Sequence, residues 1–162
     1  MADLTRVTVW ANALIRMHLD PSWTFAFDNA KRRAGLCNFT AQRISVSKYL
    51  AARFSDDDVH QTLLHEVAHA LAGPAAGHGP AWKRIARELG YVGNATHNLE
   101  TANELAPWVG TCPNGHIVYR HRRPSRPSSC VKCAGGFDRR FVFAWRRREI
   151  TRADRLAAQT PR

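Results

Sequence analysis

Two histidines four residues apart, His65 and His69, lie inside a segment that Ser55 and three consecutive aspartates open and Gly73-Pro74 closes. These signals predict one helix of about 17 residues. Ser55 is its N-cap, and Asp56, Asp57 and Asp58 complement the positive end of its dipole. Gly73-Pro74 stops it. Residues i and i+4 share one helical face a turn apart, so His65 and His69 offer two imidazoles to one point. That suits a tetrahedral zinc ion at about 2.0–2.1 Å from each nitrogen. Glu66 lies about 100° round from His65, on the open side of the helix, where it reaches a zinc-bound water without ligating the metal. Zinc brings the pKa of such a water towards neutrality. Glu66 would then take its proton as general base and deliver it to a leaving amine. Leu64, Val67 and Leu71, with His60 beside them, are expected on the opposite, core-facing stripe.

Catalytic zinc takes three protein ligands and keeps one position open. The spacing after His69 is not that of metzincins, since Ala72 and Ala75 stand where Gly and His would be. Two candidates remain for the third ligand. His78 sits in Gly77-His78-Gly79-Pro80, a turn able to bring the chain back over the helix, and is preferred. Glu88 lies 19 residues past His69 on the next predicted helix, residues 80–89, which Pro80 starts and Gly90 ends.

Before the histidine helix, residues 4–19 place Val7, Trp10, Leu14 and Met17 on one helical stripe. Three short alternating segments follow, at 23–27, 35–39 and 43–47, and suggest a small antiparallel meander. The segment 43–47 is expected at the sheet edge, able to pair with an extended peptide. Cys37 reads as a small buried strand residue. Residues 91–107 read as an irregular loop with one helical turn near 100–105. The fold class is therefore α+β. No apolar run approaches the ~20 residues that span a bilayer, which makes a soluble cytoplasmic protein, nucleoid-associated in a bacterium, the expectation.

Charge divides the chain. Residues 1–106 hold 11 Lys/Arg against 10 Asp/Glu, whereas 107–162 hold 13 against 3. A strongly basic third beside a neutral body points to a polyanionic partner, with nucleic acid first. Arg120, Arg122, Arg123, Arg126, Arg139, Arg140, Arg146 and Arg147 are the candidate contacts, interleaved with Tyr119, Phe141, Phe143 and Trp145. Guanidinium groups with aromatics suit phosphate contact and stacking on single strands, without base readout. In the same region Cys112 and His116, then Cys130 and Cys133, form a C-x3-H…C-x2-C arrangement. Four ligands close a structural zinc site, and the ion supplies folding energy that so short a segment cannot draw from a core. His121 is the alternative to His116.

The run Leu63-Leu64-His65-Glu66-Val67-Ala68-His69, followed by Gly77-His78-Gly79-Pro80 and the aromatic Trp82, resembles the SprT-like metallopeptidases. Ala34-Gly35-Leu36-Cys37 leading to Arg43-Ile44-Ser45-Val46-Ser47 also resembles that family's strand pair. The likeness extends over roughly residues 5–135. It implies a zincin-like minimal peptidase: an N-terminal helix, a three-stranded sheet, the site helix and a following helix, with a C-terminal zinc ribbon. His65, His69 and His78 would be the ligands and Glu66 the catalytic carboxylate. The expected division is a peptidase domain at 1–106, a basic ribbon-like subdomain at 107–145 and a basic tail at 146–162. Two zinc ions, one catalytic and one structural, protein substrates associated with or crosslinked to DNA, sequence-nonspecific or single-stranded DNA, no membrane and a monomeric state complete the expectation. Its rivals are a non-catalytic nucleic-acid-binding module on a hydrolase fold, and a general peptidase with a polyanion-binding tail.

Overall fold

Asp3 accepts hydrogen bonds from the Thr5 and Arg6 amides and so opens the first helix, α1 (Leu4–His18). In this computed structural model, which describes residues 2–93 and 102–158, the chain divides after Thr101 into two units, the second being Ala102–Ala158. In the first unit α1 is followed by β1 (Thr24–Asp28), β2 (Gly35–Asn38), β3 (Arg43–Ser47), a short α2 (Lys48–Ala51), α3 (Asp56–Ala72) and α4 (Pro80–Glu88). The architecture is α+β. The buried face of α1 carries Val7, Ala11 and Ile15, spaced by four. Met17, expected on that stripe, is 73% exposed; the stripe continues through Ile15 instead.

The sheet is mixed, not the antiparallel meander that alternation predicts. Its order is β1-β3-β2. A four-residue connection makes β2 and β3 an antiparallel hairpin, with Cys37 opposite Ile44. The longer segment after β1 lets β3 insert between its two predecessors, so β1 runs parallel to β3 with Phe25 opposite Ile44. Hence β3 is the central strand and not the sheet edge; β1 and β2 are the edges. Period-two patterning shows which residues share a face but carries no information on strand order. Buried serines lock the crossing in place. Ser45 Oγ donates to Asp28 at 2.7 Å, and Ser47 Oγ donates to Ala30 O at 2.6 Å.

Ser55 and Asp58 close a reciprocal capping box at the start of α3. This helix is packed on two sides. Val59 and Leu63 join Val7, Ile15, Ile44 and Val46 in one cluster; Leu64 and Ala68 join Trp82, Ala86 and Tyr91 in another. Each fully buried aliphatic such as Leu63 or Ile44 stabilises the unit by about 1.5–3 kcal/mol. Two neighbours on one helix leave no separate polar face. His65 and Glu66 are buried with Thr62–Ala68, whereas Leu71, expected in the core, is 41% exposed in the last turn. His60 packs edge-on against Trp10.

In the second unit a 3-10 turn at Asn103–Leu105 precedes β4 (Trp108–Thr111), β5 (Ile117–Arg120), β6 (Ala144–Arg147) and α5 (Arg152–Ala157). Glu100, in the helical turn expected near 100–105, lies outside the described residues. The sheet is antiparallel, ordered β5-β4-β6. Since β6 runs through Arg147, Arg146 and Arg147 are sheet residues. Arg148 donates to Ala106 O at 3.0 Å and to Asp154 at 3.2 Å, joining α5 to the segment ahead of β4. Among the described residues no helix is long and apolar enough to cross a membrane.

Candidate functional site

His65 and His69 leave α3 one turn apart, and the segment after the helix carries His78 back to them. Linked tight turns make the return: the Gly73 amide donates to His69 O, Ala76 to Gly73 O and Gly79 to Ala76 O. Gly77, at φ 49°, takes the left-handed conformation that residues with side chains adopt only at a cost. Pro80 then begins α4 at its first position, where a missing N–H breaks no bond. Three Nε2 atoms meet as a result, 3.2 Å apart for His65 and His69, 2.9 Å for His69 and His78 and 3.1 Å for His78 and His65. Any placement of protons on three mutually facing ring nitrogens leaves at least one pair of like groups in opposition. A cation at their centre accepts all three lone pairs, so this donor set fits a metal ion. Burial, and then the nearby His78, lowers the His69 pKa to about 4, which keeps its lone pair available. Glu88, the alternative third ligand, lies exposed on α4 beside Arg84 and is not among the converging groups.

Glu66 is not on an open face: it is 7% exposed. Its carboxylate lies against β2, where a Cβ on Gly35 would stand 2.6 Å from Glu66 Oε1. Burial drives its pKa up to about 7. The Cys37 amide and the Arg33 charge oppose that rise, and Asp28 adds to it. The same carboxylate acts back on its neighbours. Burial first and Glu66 second push the Cys37 thiol up to about 12, and the two raise the Tyr91 phenol in the same order. Cys37 itself is half-buried, less enclosed than its strand pattern predicts.

Three residues of this site escape sequence reasoning. Gly35 is seen there only as a strand residue, Trp82 only as an aromatic after the turn, and Tyr91 not at all. Trp82 and Tyr91 pack on the His65 ring at centroid distances of 4.7 and 5.4 Å. Position along α4 gives a signal for Trp82, on the buried side with Ala86; for Gly35 only the tertiary contact does.

In the second unit Cys112, His116, Cys130 and Cys133 converge. His116 Nδ1 is 3.2 Å from Cys133 Sγ and 3.5 Å from both Cys112 and Cys130. Each half is a turn that aims its pair inward, with Gly115 donating to Cys112 O and Cys133 and Ala134 to Cys130 O. Burial works to raise the Cys112 thiol, but hydrogen bonds from the His116 and Asn114 backbone and the His116 ring outweigh it and bring it to about 7. Three thiols and an imidazole form a closed set suited to a structural metal ion. His121 is not part of it.

The eight candidate arginines are not gathered on one face. Arg120, Trp108 and Arg147 are register partners across the sheet, and Tyr119, Val109 and Arg146 form the next row; successive rows face opposite sides. Arg123 stands over the Trp108 ring at 6.0 Å. Arg140 is held by Asp138 at 2.8 Å. Arg122 and Arg126 lie on the segment between β5 and the second cysteine pair, and Arg139 in a 3-10 turn. Of the interleaved aromatics, Phe143 is buried with Cys112 and Cys130, and Phe141 and Trp145 pack on that cluster. Tyr119 remains 41% exposed, with Arg148 over its ring.

A family model described as the SprT-like family matches residues 4–103. Among curated proteins, the chain is 27% identical to Protein SprT of Glaesserella parasuis serovar 5 (strain SH0165) over 135 residues, covering 76% of this chain and 86% of that protein. It is 28% identical to Protein SprT of Pseudomonas putida (strain W619) over 116 residues, covering 63% and 71%.

Proposed function

The chain belongs to the SprT-like family, and from that premise we propose that it is a zinc-dependent endopeptidase acting on DNA-associated or DNA-crosslinked proteins. The observation that carries the reading is the meeting of three imidazole Nε2 atoms, two of them from the helix that also carries the buried Glu66. His65, His69 and His78 would hold the zinc, which when bound supplies Lewis acidity towards a water and a scissile carbonyl. Glu66 takes a proton on its carboxylate and returns it to the departing amine. Its low exposure supports that work, since a carboxylate partly stripped of water holds a proton near neutral pH. An extended substrate pairs with a free sheet edge, and β2, the edge against Glu66, takes the role that β3 cannot. Cys112, His116, Cys130 and Cys133 hold a second zinc that stabilises the small basic unit. That unit binds DNA through phosphate contacts from its arginines, with Tyr119 open to a base.

Glu66→Gln separates this reading from a nucleic-acid-binding module on a hydrolase fold. The variant should keep zinc and DNA binding and lose cleavage of an unfolded protein substrate. Wild-type protein that binds zinc and DNA but cleaves nothing the variant spares would leave only the binding module. His78→Ala should abolish zinc retention at the first site, whereas Glu88→Ala should not. Stimulation of cleavage by single-stranded DNA tests the substrate class; equal stimulation by any polyanion favours a general peptidase with a polyanion-binding tail.

A further inference from the structure

The three imidazoles need their rings held, because the histidine χ2 torsion is broad and two-fold and leaves Nε2 free to swing away. Metal-binding histidines usually meet this need with a hydrogen bond from the second ring nitrogen to a carboxylate or carbonyl. Among the described residues no such bond orients His69 or His78; the polar contacts recorded for their rings run between Nε2 atoms. One indole touches all three rings instead. Trp82, 2% exposed, has its ring centroid 4.7 Å from that of His65, 5.3 Å from His69 and 4.6 Å from His78. It meets His65 and His78 edge-on, at 62° and 77°, and lies tilted by 32° to His69. Trp82 therefore lies in ring contact with each of the three imidazoles and bounds the space in which their rings tilt.

The indole is itself fixed. Its Nε1–H donates to the His65 carbonyl at 3.4 Å, the Tyr91 ring meets it edge-on at 5.7 Å, and Leu64, Ala68 and Ala86 pack in the same cluster. Gly79 and Pro80 place α4 immediately after His78, so the ligand and the indole that braces it are four residues apart across the start of that helix.

We infer that Trp82 is the positioning residue of the histidine site, setting by steric contact the orientations of the His69 and His78 rings and packing against that of His65. This inference rests on the metal-site reading of His65, His69 and His78. Trp82 touches neither water nor substrate in that reading; it acts through the ligands.

The test is cobalt(II) titration of metal-depleted full-length protein, followed by ligand-field absorption in the visible. Thiolate charge-transfer absorption in the near ultraviolet reports the cysteine site separately. Trp82→Phe keeps an aromatic ring but loses the indole's width and its N–H. It should weaken cobalt binding at the histidine site about 10-fold, and Trp82→Ala about 100-fold, the range found when groups behind metal ligands are removed. The visible bands should change shape, and the thiolate signal should not. Val7→Ala, a core truncation in the α1 cluster, is the control: it should lower the melting temperature and leave cobalt affinity unchanged. Trp82→Phe and Trp82→Ala that bind cobalt as tightly as wild type, with the same spectrum, overturn the positioning role alone. A wild-type protein with no thiolate-free cobalt signal overturns the histidine metal site, and this inference with it.

Discussion

Replacing Gly35 with alanine should damage Glu66 while leaving the metal ligands in place. A Cβ at position 35 would stand 2.6 Å from Glu66 Oε1, 2.7 Å from Glu66 Cγ and 2.9 Å from Thr62 Cγ2. Ordinary contact begins near 3.4 Å, so the carboxylate or the strand must yield by about 0.8 Å for the closest pair, an overpacking of the kind that costs roughly 1–3 kcal/mol. For a unit of this size that lowers Tm by roughly 5–15 °C. The catalytic effect should be larger than stability accounts for. Displacing a reacting group by about 1 Å costs on the order of 10²-fold in rate, so kcat/KM should fall roughly 10- to 100-fold. Zinc content should stay at the wild-type value, because the three atoms nearest that Cβ belong to Glu66 and Thr62 and none to an imidazole. The assay is cleavage of an unfolded protein substrate well below the variant's Tm, with zinc measured on the same sample. A double variant with Thr62→Ser, which removes Cγ2, should recover part of the Tm but not the rate. Gly35→Ala with wild-type activity and Tm would refute the argument that β2 holds the carboxylate in place.

Three further outcomes follow from the structure. Alkylation at mildly alkaline pH should find none of the four thiols reactive in zinc-loaded protein. After chelation Cys112, Cys130 and Cys133 should react while Cys37, with its thiol pushed up to about 12 by burial and by Glu66, stays unmodified; mass mapping of the adducts decides it. Ser55→Ala removes the capping box of α3 and should cost about 1 kcal/mol, read as a shift in the urea midpoint with unchanged slope. DNA affinity should fall steeply with added salt, and since Arg146 and Arg147 face opposite sides of β6, alanine at the one that meets DNA should lower the slope of log K against log salt by about 1 and alanine at the other should not; a flat salt response in the wild type would remove the nucleic-acid reading.

Much of the convergence of the candidate metal ligands was legible along the chain because it is local. A spacing of four on a helix brings His65 and His69 together whatever surrounds them. Ser55 with Asp58 closes a capping box within one turn, and Gly77-His78-Gly79-Pro80 is a turn on its own chemistry. The two cysteine-bearing turns behave in the same way. These features depend on residues a few positions apart, whose relative placement backbone geometry alone restricts to one or two arrangements.

What required the tertiary structure depends on chain crossings and on two-sided packing. The insertion of β3 between β1 and β2 made it the central strand and left β2 as the edge beside Glu66, a result of connection lengths and of Asp28, Ser45 and Ser47 that alternation does not encode. The burial of Glu66 follows from α3 lying between two clusters, so the open face expected from helical periodicity is absent. The choice of His116 over His121 was made by which ring the folded turn aims at the thiols. Gly35 and Trp82 have significance only through atoms 31 residues away in one case and on a neighbouring helix in the other. Periodicity within one element carries no record of a contact between elements, because the distance is set by how they pack and not by the spacing within either.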